Sequence, residues 1–337
     1  MRVSRSRLTV LLNALHDIGE TTIPVAHPSD EIGELLRIDL EDADASTVSL
    51  ELDRHAYAKA CDAVHQTYGG AVTRELPDTN SYVNALLASG LLTPSNVDDI
   101  AAFLERYGNP DLTAGHKPVV AGFDTNLLAW RIADVLDLSP GADSVVNGYA
   151  LATGVRDELD WDDKRGETDT LREAFGPEFD ELWNQPSGSR REGRLAETYY
   201  RELRDHRYAD EIATDRGDEE IVQGYDAYQD DTGKDVLLFS NDRDFVERAR
   251  SHRVLAHRVE FPREIPNSVE VSWDVIQDTV YLLAVLFGIL SLPKVTIYGV
   301  WKGKGGQAWQ NEQLAVDCRS PANADFVERG QAIVDET

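Results

Sequence analysis

The chain contains very little cysteine or lysine. Among its 337 residues, Cys61 and Cys318 are the only cysteines, and no CxxC pair is present. This scarcity argues against a structural zinc site and against a disulfide framework. Lysine occurs only at positions 59, 117, 164, 234, 294, 302 and 304, so most of the 33 basic residues are arginine.

Long apolar segments are also missing. The longest apolar run, Tyr281 to Leu292, is too short to cross a bilayer and is typical of a buried helix. The first seven residues are basic, but Asn13 and His16 interrupt the stretch that follows, so the beginning does not resemble a signal peptide. We therefore expect a cytoplasmic protein with no membrane partner.

Acidic residues are in large excess. The 61 acidic residues give a net charge of -28, while the hydrophobic content of 42% is that of a folded protein. Many acids with few lysines resemble the composition of proteins from salt-loving archaea. In molar salt the screening length falls to ~3 Å, so an acidic surface there says little about whether the partner is a nucleic acid.

The length predicts two or three structural units. Residues 1–112 show apolar positions at helical spacing, as at Leu8, Leu11, Leu12 and Leu15, which predicts a helical N-terminal domain. Residues 118–262 alternate between strand-like and helix-like segments, which predicts a parallel sheet in an α/β domain. Residues 268–337 predict an apolar helix (275–292) followed by a β-hairpin built from 295–301 and 313–318.

Acidic residues follow two of the predicted strands. The apolar run 119–123 is followed by Asp124, and the run 236–239 is followed by Ser240, Asn241 and Asp242. The carboxyl ends of parallel strands meet at one edge of a sheet, so these acids can converge. Gathered carboxylates either bind a hard divalent cation or repel one another.

Four segments of the middle region resemble, in order, the acidic motifs of PIN-domain nucleases. They are Phe123–Leu128, Val155–Leu159, Gly217–Ile221 and Phe239–Phe245, and the resemblance spans about residues 118–262. It implies a small parallel sheet in a three-layer α/β/α sandwich. It also implies an enzyme that uses Mg²⁺ or Mn²⁺ and cuts nucleic acid, in many family members RNA.

The resemblance assigns roles to individual residues. Asp124, Glu158, Asp218 and Asp242 would hold the metal, and Asp244 would assist them as a fifth catalytic acid. Neighbouring acids compete for the second and third positions, namely Asp157, Asp160, Asp215 and Glu219. Substrate contacts are expected from Asn126, Ser240, Arg243, Lys302 and Lys304. Of these, Asn126 and Ser240 would orient either the carboxylates or the substrate phosphate through hydrogen bonds.

Two basic regions have alternative interpretations. Lys302 and Lys304 lie near Tyr298, Trp301 and Trp309, a mixture that can stack bases and contact phosphates, or that can form the core of a Gly-rich hairpin. A second group forms a basic stripe that is either a solvated helix face or a surface that guides substrate. Its members are Arg190, Arg191, Arg194, Arg201, Arg204 and Arg207.

The sequence thus favours a metal-dependent nuclease, with single-stranded RNA as the substrate in RNA processing or quality control. Two alternatives stay open at this point. The first is a nucleic-acid-binding or scaffold protein on a non-catalytic PIN-like fold. The second is a nuclease specific for DNA structures. A homodimer is compatible with either function.

Overall fold

Two β-sheets of different kinds organise the chain. The computed structural model describes residues 1–41, 45–141, 144–159, 168–188 and 190–336. Contacts divide the chain into unit 1 (Met1–Leu92, Trp161–Glu192 and Arg263–Thr337) and unit 2 (Thr93–Asp160 and Gly193–Pro262).

The strands are short, as the brief apolar runs of the sequence require. In chain order they are β1 (Arg2–Ser4), β2 (Thr22–Ala26), β3 (Glu34–Asp39), β4 (Ser46–Leu50), β5 (Val119–Phe123), β6 (Gly148–Ala152), β7 (Asp210–Ile212), β8 (Asp235–Ser240), β9 (Leu255–Arg258), β10 (Ser268–Val271), β11 (Ile289–Leu292), β12 (Val295–Tyr298) and β13 (Gln313–Cys318).

Helices fill most of the remaining described residues. In chain order they are α1 (Leu8–Asp17), α2 (Arg54–Tyr68), α3 (Gly70–Thr73), α4 (Thr79–Ala88), α5 (Val97–Tyr107), α6 (Thr125–Leu128), α7 (Ile132–Val135), α8 (Thr153–Asp157), α9 (Asp169–Phe175), α10 (Arg190–Arg201), α11 (Asp218–Thr232), α12 (Arg243–Ser251), α13 (Trp273–Phe287), α14 (Gly306–Gln310) and α15 (Pro321–Glu336). A π-helical turn, Glu202–His206, continues α10.

Unit 1 is built on an antiparallel sheet. Its strand order in the described residues is β1-β13-β12-β11-β2-β3-β4-β10. The apolar helix α13 is buried along most of its length and contacts α1 and α4. A Cβ atom on Gly299 would lie 2.1 Å from backbone atoms of Ala284 in this helix, so only glycine fits there.

The prediction that residues 1–112 are helical was wrong for part of this segment. Strands β1 to β4 lie within it. Of these, β1, β2 and β4 pair with β13, β11 and β10 from the distant C-terminal segment, and β3 lies between β2 and β4. Pairing across such a separation leaves no signal in the local sequence. Residues 1–92 and 263–337 accordingly belong to one unit, which differs from the predicted division into 1–112, 118–262 and 268–337.

The predicted C-terminal helix, 275–292, is too long. Helix α13 ends at Phe287, where Gly288 adopts a positive φ of 82°. The remaining apolar residues form β11, which pairs with β12 across a turn at Pro293 and Lys294. An apolar run by itself does not separate a buried helix from a buried strand. The predicted pairing of the segments around β12 and β13 is present.

Unit 2 contains a parallel sheet flanked by helices. Its strand order is β7-β6-β5-β8-β9, and all four neighbouring pairs are parallel. The chain builds the sheet outward from β5 in one direction and then returns to add β8 and β9 on the other side. The order therefore reverses between β5 and β8, and in such sheets a crevice forms at the carboxyl ends of these two strands.

Helices α11 and α5 both pack on the parallel sheet of unit 2. The Tyr225 hydroxyl of α11 donates to the Ala150 carbonyl at 3.0 Å, and a Cβ atom on Gly122 would lie 2.8 Å from the Tyr225 ring. Helix α5, which we predicted to belong to the N-terminal domain, packs on β9, and its Phe103 ring stacks on His257. The predicted helical insertion (168–213) contains β7, an edge strand of this sheet.

The basic stripe does not form one continuous surface. Arg191 is completely buried in unit 1, where its guanidinium lies 3.0 Å from Glu75. In unit 2, Arg201 pairs with Glu197 and Arg207 pairs with Glu202. These arginines are committed to the fold, so the idea that the stripe guides substrate finds no support.

No helix among the described residues is both long and apolar enough to cross a membrane. The two cysteines, Cys61 and Cys318, are free thiols, each partly exposed. Burial raises the pKa of both thiols, so neither has the depressed pKa of a reactive thiolate.

Candidate active site

The carboxyl ends of β5 and β8 meet at the point where the strand order of unit 2 reverses. Phe123 at the end of β5 pairs with Phe239 in β8, and the Asp124 amide continues the ladder by donating to the Phe239 carbonyl at 3.0 Å. The first residue after β5 therefore lies beside Ser240, the last residue of β8. This juxtaposition follows directly from the parallel register of the two strands.

Asp124 is the buried acid of this edge, with 5% of its surface exposed. It caps helix α6, and its Oδ1 accepts a hydrogen bond from the Thr125 amide at 2.7 Å. Its Oδ2 accepts from Asn126 Nδ2 at 2.8 Å and from the Ser240 hydroxyl at 2.6 Å. All of these donors are neutral, so they orient the carboxylate without neutralising its charge.

The pKa of Asp124 reflects this environment. Its pKa is raised to about 6, chiefly by burial and also by the negative charges of Asp218 and Glu158, against the lowering effect of the hydrogen bonds from Ser240 and Thr125. The carboxylate is thus held in place while its charged form is disfavoured. A bound cation would remove that penalty.

Glu158 follows helix α8 and connects two parts of the site. Its Oε2 accepts a hydrogen bond from the Thr125 hydroxyl at 2.5 Å, and its Oε1 accepts from the Gly217 amide at 3.0 Å. Thr125 therefore binds both Asp124 and Glu158, one through its amide and the other through its hydroxyl. The sequence analysis did not single out Thr125 or the Gly217 amide, although both lie inside the acidic motifs.

Asp218 is the first residue of helix α11, directly after Gly217. Burial raises its pKa, the positive charge of Arg248 lowers it, and the negative charges of Asp242, Glu158 and Asp244 raise it. These effects reach only over short distances. The five predicted acids therefore belong to one electrostatically coupled group in unit 2.

Asp242 caps the next helix, α12. Its Oδ1 accepts hydrogen bonds from the amides of Asp244 and Phe245, at 2.7 and 3.4 Å. Its own amide donates to the Ser240 hydroxyl at 2.9 Å. Asp242 and Asp244 are exposed to solvent, so they form the open side of the group while Asp124 forms its buried side.

Ser240 joins the two strand ends. It is fully buried, and its hydroxyl donates to Asp124 while accepting from the Asp242 amide. Asn126 makes the second connection, because its Nδ2 donates to Asp124 and its Oδ1 accepts from the Asn241 amide at 3.3 Å. Both residues contact the carboxylate that the sequence analysis expected them to orient.

The acids that competed for the second and third positions have other environments. Glu219 is bonded to Arg248, His252 and Gln223, and Asp157 and Asp215 are exposed. Asp160 lies outside the residues that the structure describes.

The donor set suits a hard cation. Within the described residues, no three His, Cys, Asp or Glu side chains form a ready-made metal cluster. Mg²⁺ needs only one or two direct carboxylates and keeps several water ligands, so it does not require such a cluster. The site offers only oxygen ligands, and the carboxylates of Asp124 and Glu158 retain lone pairs beyond the hydrogen bonds that they accept.

The basic residues that were predicted to contact substrate have different environments. Arg243 is exposed and pairs with Glu247 on its own helix at 2.8 Å. Lys304 belongs to unit 1, is 5% exposed, and donates to the Gly299 carbonyl at 2.7 Å between the Trp301 and Trp309 rings. Lys304 thus serves the core of unit 1, and we remove it from the set of expected substrate contacts.

Lys302, also in unit 1, is exposed, and its ammonium lies 5.0 Å from the centre of the Trp183 ring. The interpretation of this hairpin as a packed Gly-rich turn therefore holds for Lys304, whereas Lys302 keeps a surface position.

Comparisons with models of known protein families, with curated proteins and with solved structures found no match to this chain.

Proposed function

We propose that the chain is a metal-dependent nuclease that hydrolyses phosphodiester bonds within single-stranded RNA. The observation that carries the proposal is the environment of Asp124. Its carboxylate lies at the carboxyl end of β5, where the strand order reverses, and it is buried, oriented by neutral donors and coupled to further acids. Buried acids with raised pKa values that converge in a crevice are typical of functional sites.

Each residue of the site has a role in this proposal. Asp124, Glu158, Asp218 and Asp242 hold Mg²⁺ or Mn²⁺, and Asp244 assists at the exposed side. Thr125, Asn126 and Ser240 orient the carboxylates through the hydrogen bonds described above. When bound, the divalent cation supplies positive charge that offsets the charge of the phosphodiester and of its transition state.

The choice of a nuclease also draws on the resemblance to PIN-domain motifs. The parallel sheet of unit 2 is the kind of sheet that this resemblance implies. The resemblance also favours RNA over DNA. RNA processing or quality control remains our proposal for the setting, and a cytoplasmic location goes with it. Cleavage of DNA alone would favour a nuclease specific for DNA structures.

The test is cleavage by the full chain and by its Asp124→Asn variant. Labelled single-stranded RNA and DNA are incubated with Mn²⁺ or Mg²⁺ at high KCl concentration. We expect wild-type protein to cut RNA and Asp124→Asn to lose roughly a hundredfold or more in rate, about 2.7 kcal/mol of transition-state stabilisation.

A matched control is Asp235→Asn, at the opposite end of β8, where the side chain pairs only with Lys117 at 3.5 Å. This variant should keep wild-type activity. Equal activity of Asp124→Asn and wild type would refute the assignment of the site, and absence of any cleavage by wild-type protein would refute the nuclease proposal.

A further inference from the structure

The carboxyl end of β9 brings an arginine to the same edge of the sheet as the acids. Arg258 pairs in register with Ser240, and the Val259 amide donates to the Ser240 carbonyl at 2.8 Å. Register partners on neighbouring strands point to the same face of a sheet and lie about 5 Å apart. The side chain of Arg258 therefore projects from the same face of the sheet as the side chain of Ser240, which contacts Asp124.

The position of Arg258 is fixed from two sides. Its Nε donates to the Asn241 carbonyl at 3.0 Å, and its Nη1 donates to Glu260 at 3.0 Å. Its own carbonyl accepts from Asn96 Nδ2 at 2.8 Å, while Asn96 Oδ1 accepts from the Glu260 amide at 2.9 Å. The guanidinium is consequently anchored to the loop that carries Ser240, Asn241 and Asp242.

Part of the guanidinium is available to a ligand. The side chain is 40% exposed, and among the described residues Nη2 has no hydrogen-bond acceptor. An arginine keeps its charge at all relevant pH values, and its planar fork matches the oxygens of a phosphate. The one acid that contacts it, Glu260, is bound through Nη1 alone.

Two arginines of helix α12, which begins at the acids, lack this combination. Arg243 is 76% exposed and pairs with Glu247 on its own helix, so nothing fixes it relative to the acids. Arg248 is engaged with Glu219 at 2.8 Å, and its positive charge acts on Asp218. A phosphodiester approaching this group of carboxylates needs a cation at a fixed place, and Arg258 provides one.

We propose that Arg258 binds a backbone phosphate of single-stranded nucleic acid and positions it beside the carboxylates. The nature of this substrate rests on the proposed nuclease function. The role is that of a substrate-binding residue, since the guanidinium takes no part in bond cleavage. The sequence analysis did not identify Arg258, because this residue lies outside the acidic motifs.

The test measures binding separately from cleavage. A short fluorescein-labelled oligouridylate is titrated with the full chain carrying Asp124→Asn, and binding is followed by fluorescence anisotropy at a series of KCl concentrations. Each phosphate contact on a single strand contributes about 0.7 to the slope of log K against log salt. Adding Arg258→Gln should weaken binding roughly tenfold and reduce that slope by about 0.7.

Two further variants separate binding from a structural role. Arg258→Lys keeps the positive charge but loses the bond to Asn241, so it should retain most of the salt slope, whereas a purely structural role would make it behave like Arg258→Gln. Arg253→Gln removes an exposed arginine before the opposite end of β9, where its guanidinium pairs with Asp226 at 3.1 Å, and it should leave the slope unchanged. Thermal melts verify that each variant is folded.

The outcomes distinguish this inference from the nuclease proposal. Unchanged affinity and slope in Arg258→Gln, or an equal change in Arg253→Gln, would overturn the role of Arg258 even if wild-type protein cuts RNA. Absence of binding by the Asp124→Asn parent would overturn it too. A reduced slope without any cleavage by wild-type protein would support the phosphate contact and refute the nuclease.

Discussion

Two buried charged groups, one in each unit, have opposite environments. In unit 1, Arg191 has no exposed surface and Glu75 has 2%, and their charged groups lie 3.0 Å apart. Arg191 Nη1 also donates to the carbonyls of Leu286 and Glu75, at 2.9 and 3.2 Å. This buried cation is matched by an anion and by backbone acceptors.

At the strand ends of unit 2, the buried anion of Asp124 has no matching cation among the described residues. Asp124 accepts hydrogen bonds from neutral groups there, and the charged groups that most affect its pKa are the carboxylates of Asp218 and Glu158. Removing an ion from water without a counter-ion costs several kcal/mol. A matched pair can serve the fold alone, whereas an unmatched acid at strand ends indicates that a ligand completes the site.

The largest expected effect comes from breaking the matched pair of unit 1. Arg191→Met leaves Glu75 buried without its partner, which should lower the free energy of unfolding by about 3–5 kcal/mol. Urea unfolding at high KCl concentration measures the loss. The control Arg243→Met removes an exposed pair with Glu247 and should cost far less. Equal losses in the two variants would show that the buried pair has no special weight.

A smaller effect should sharpen the comparison, because unit 1 also contains a largely buried acid, Glu192, that has no paired cation among the described residues. Glu192 accepts a hydrogen bond from the Ser81 hydroxyl, and its pKa is raised to about 7, chiefly by burial and also by Asp78, although the bond from Ser81 lowers it. Since the folded pKa exceeds the unfolded value of 4.5, the stabilising proton is fully present below pH 4.5 and is lost as pH rises through about 7.

Glu192→Gln mimics the protonated acid and should escape this loss. Relative to wild type, the variant should gain about 2–3 kcal/mol in unfolding free energy at pH 8, with little difference at pH 4.5. Urea unfolding at several pH values measures the gain, and exposed Glu247→Gln is the control. A gain that is the same at both pH values would contradict a titration of Glu192.

Sequence patterns predicted the parts of the fold that depend on local spacing. Helix α1, with Leu8, Leu11 and Leu15 on one face, follows from 3.6-residue periodicity, and β5 and β8 follow from apolar runs ending in acids. The strands β2, β3 and β4 were missed. They pair with one another in sequence order, but the outer partners that extend their sheet, β11 beside β2 and β10 beside β4, lie in distant segments. Residues of the arginine stripe gave no hint that Arg191 is fully buried.

The candidate site also has parts that the sequence could predict and parts that it could not. Asp124 and Ser240 could be placed together from the sequence, because parallel strands that end in polar residues share one edge. The contact of Thr125 with Glu158, and the position of Arg258 beside Ser240, depend on register and on strand order. Neither follows from the residues of a single motif.

The central claim is that the unmatched acids of unit 2 bind a divalent cation. Its most direct test is the melting temperature of wild type, Asp124→Asn and Asp235→Asn at high KCl concentration, each with and without Mn²⁺. A cation that binds only the folded state, at a concentration about one hundred times its Kd, increases the free energy of unfolding by about 2.7 kcal/mol. The melting temperature then rises by several degrees. The account predicts this rise for wild type and Asp235→Asn and its loss in Asp124→Asn. An equal rise in Asp124→Asn, or no rise in wild type, would contradict it.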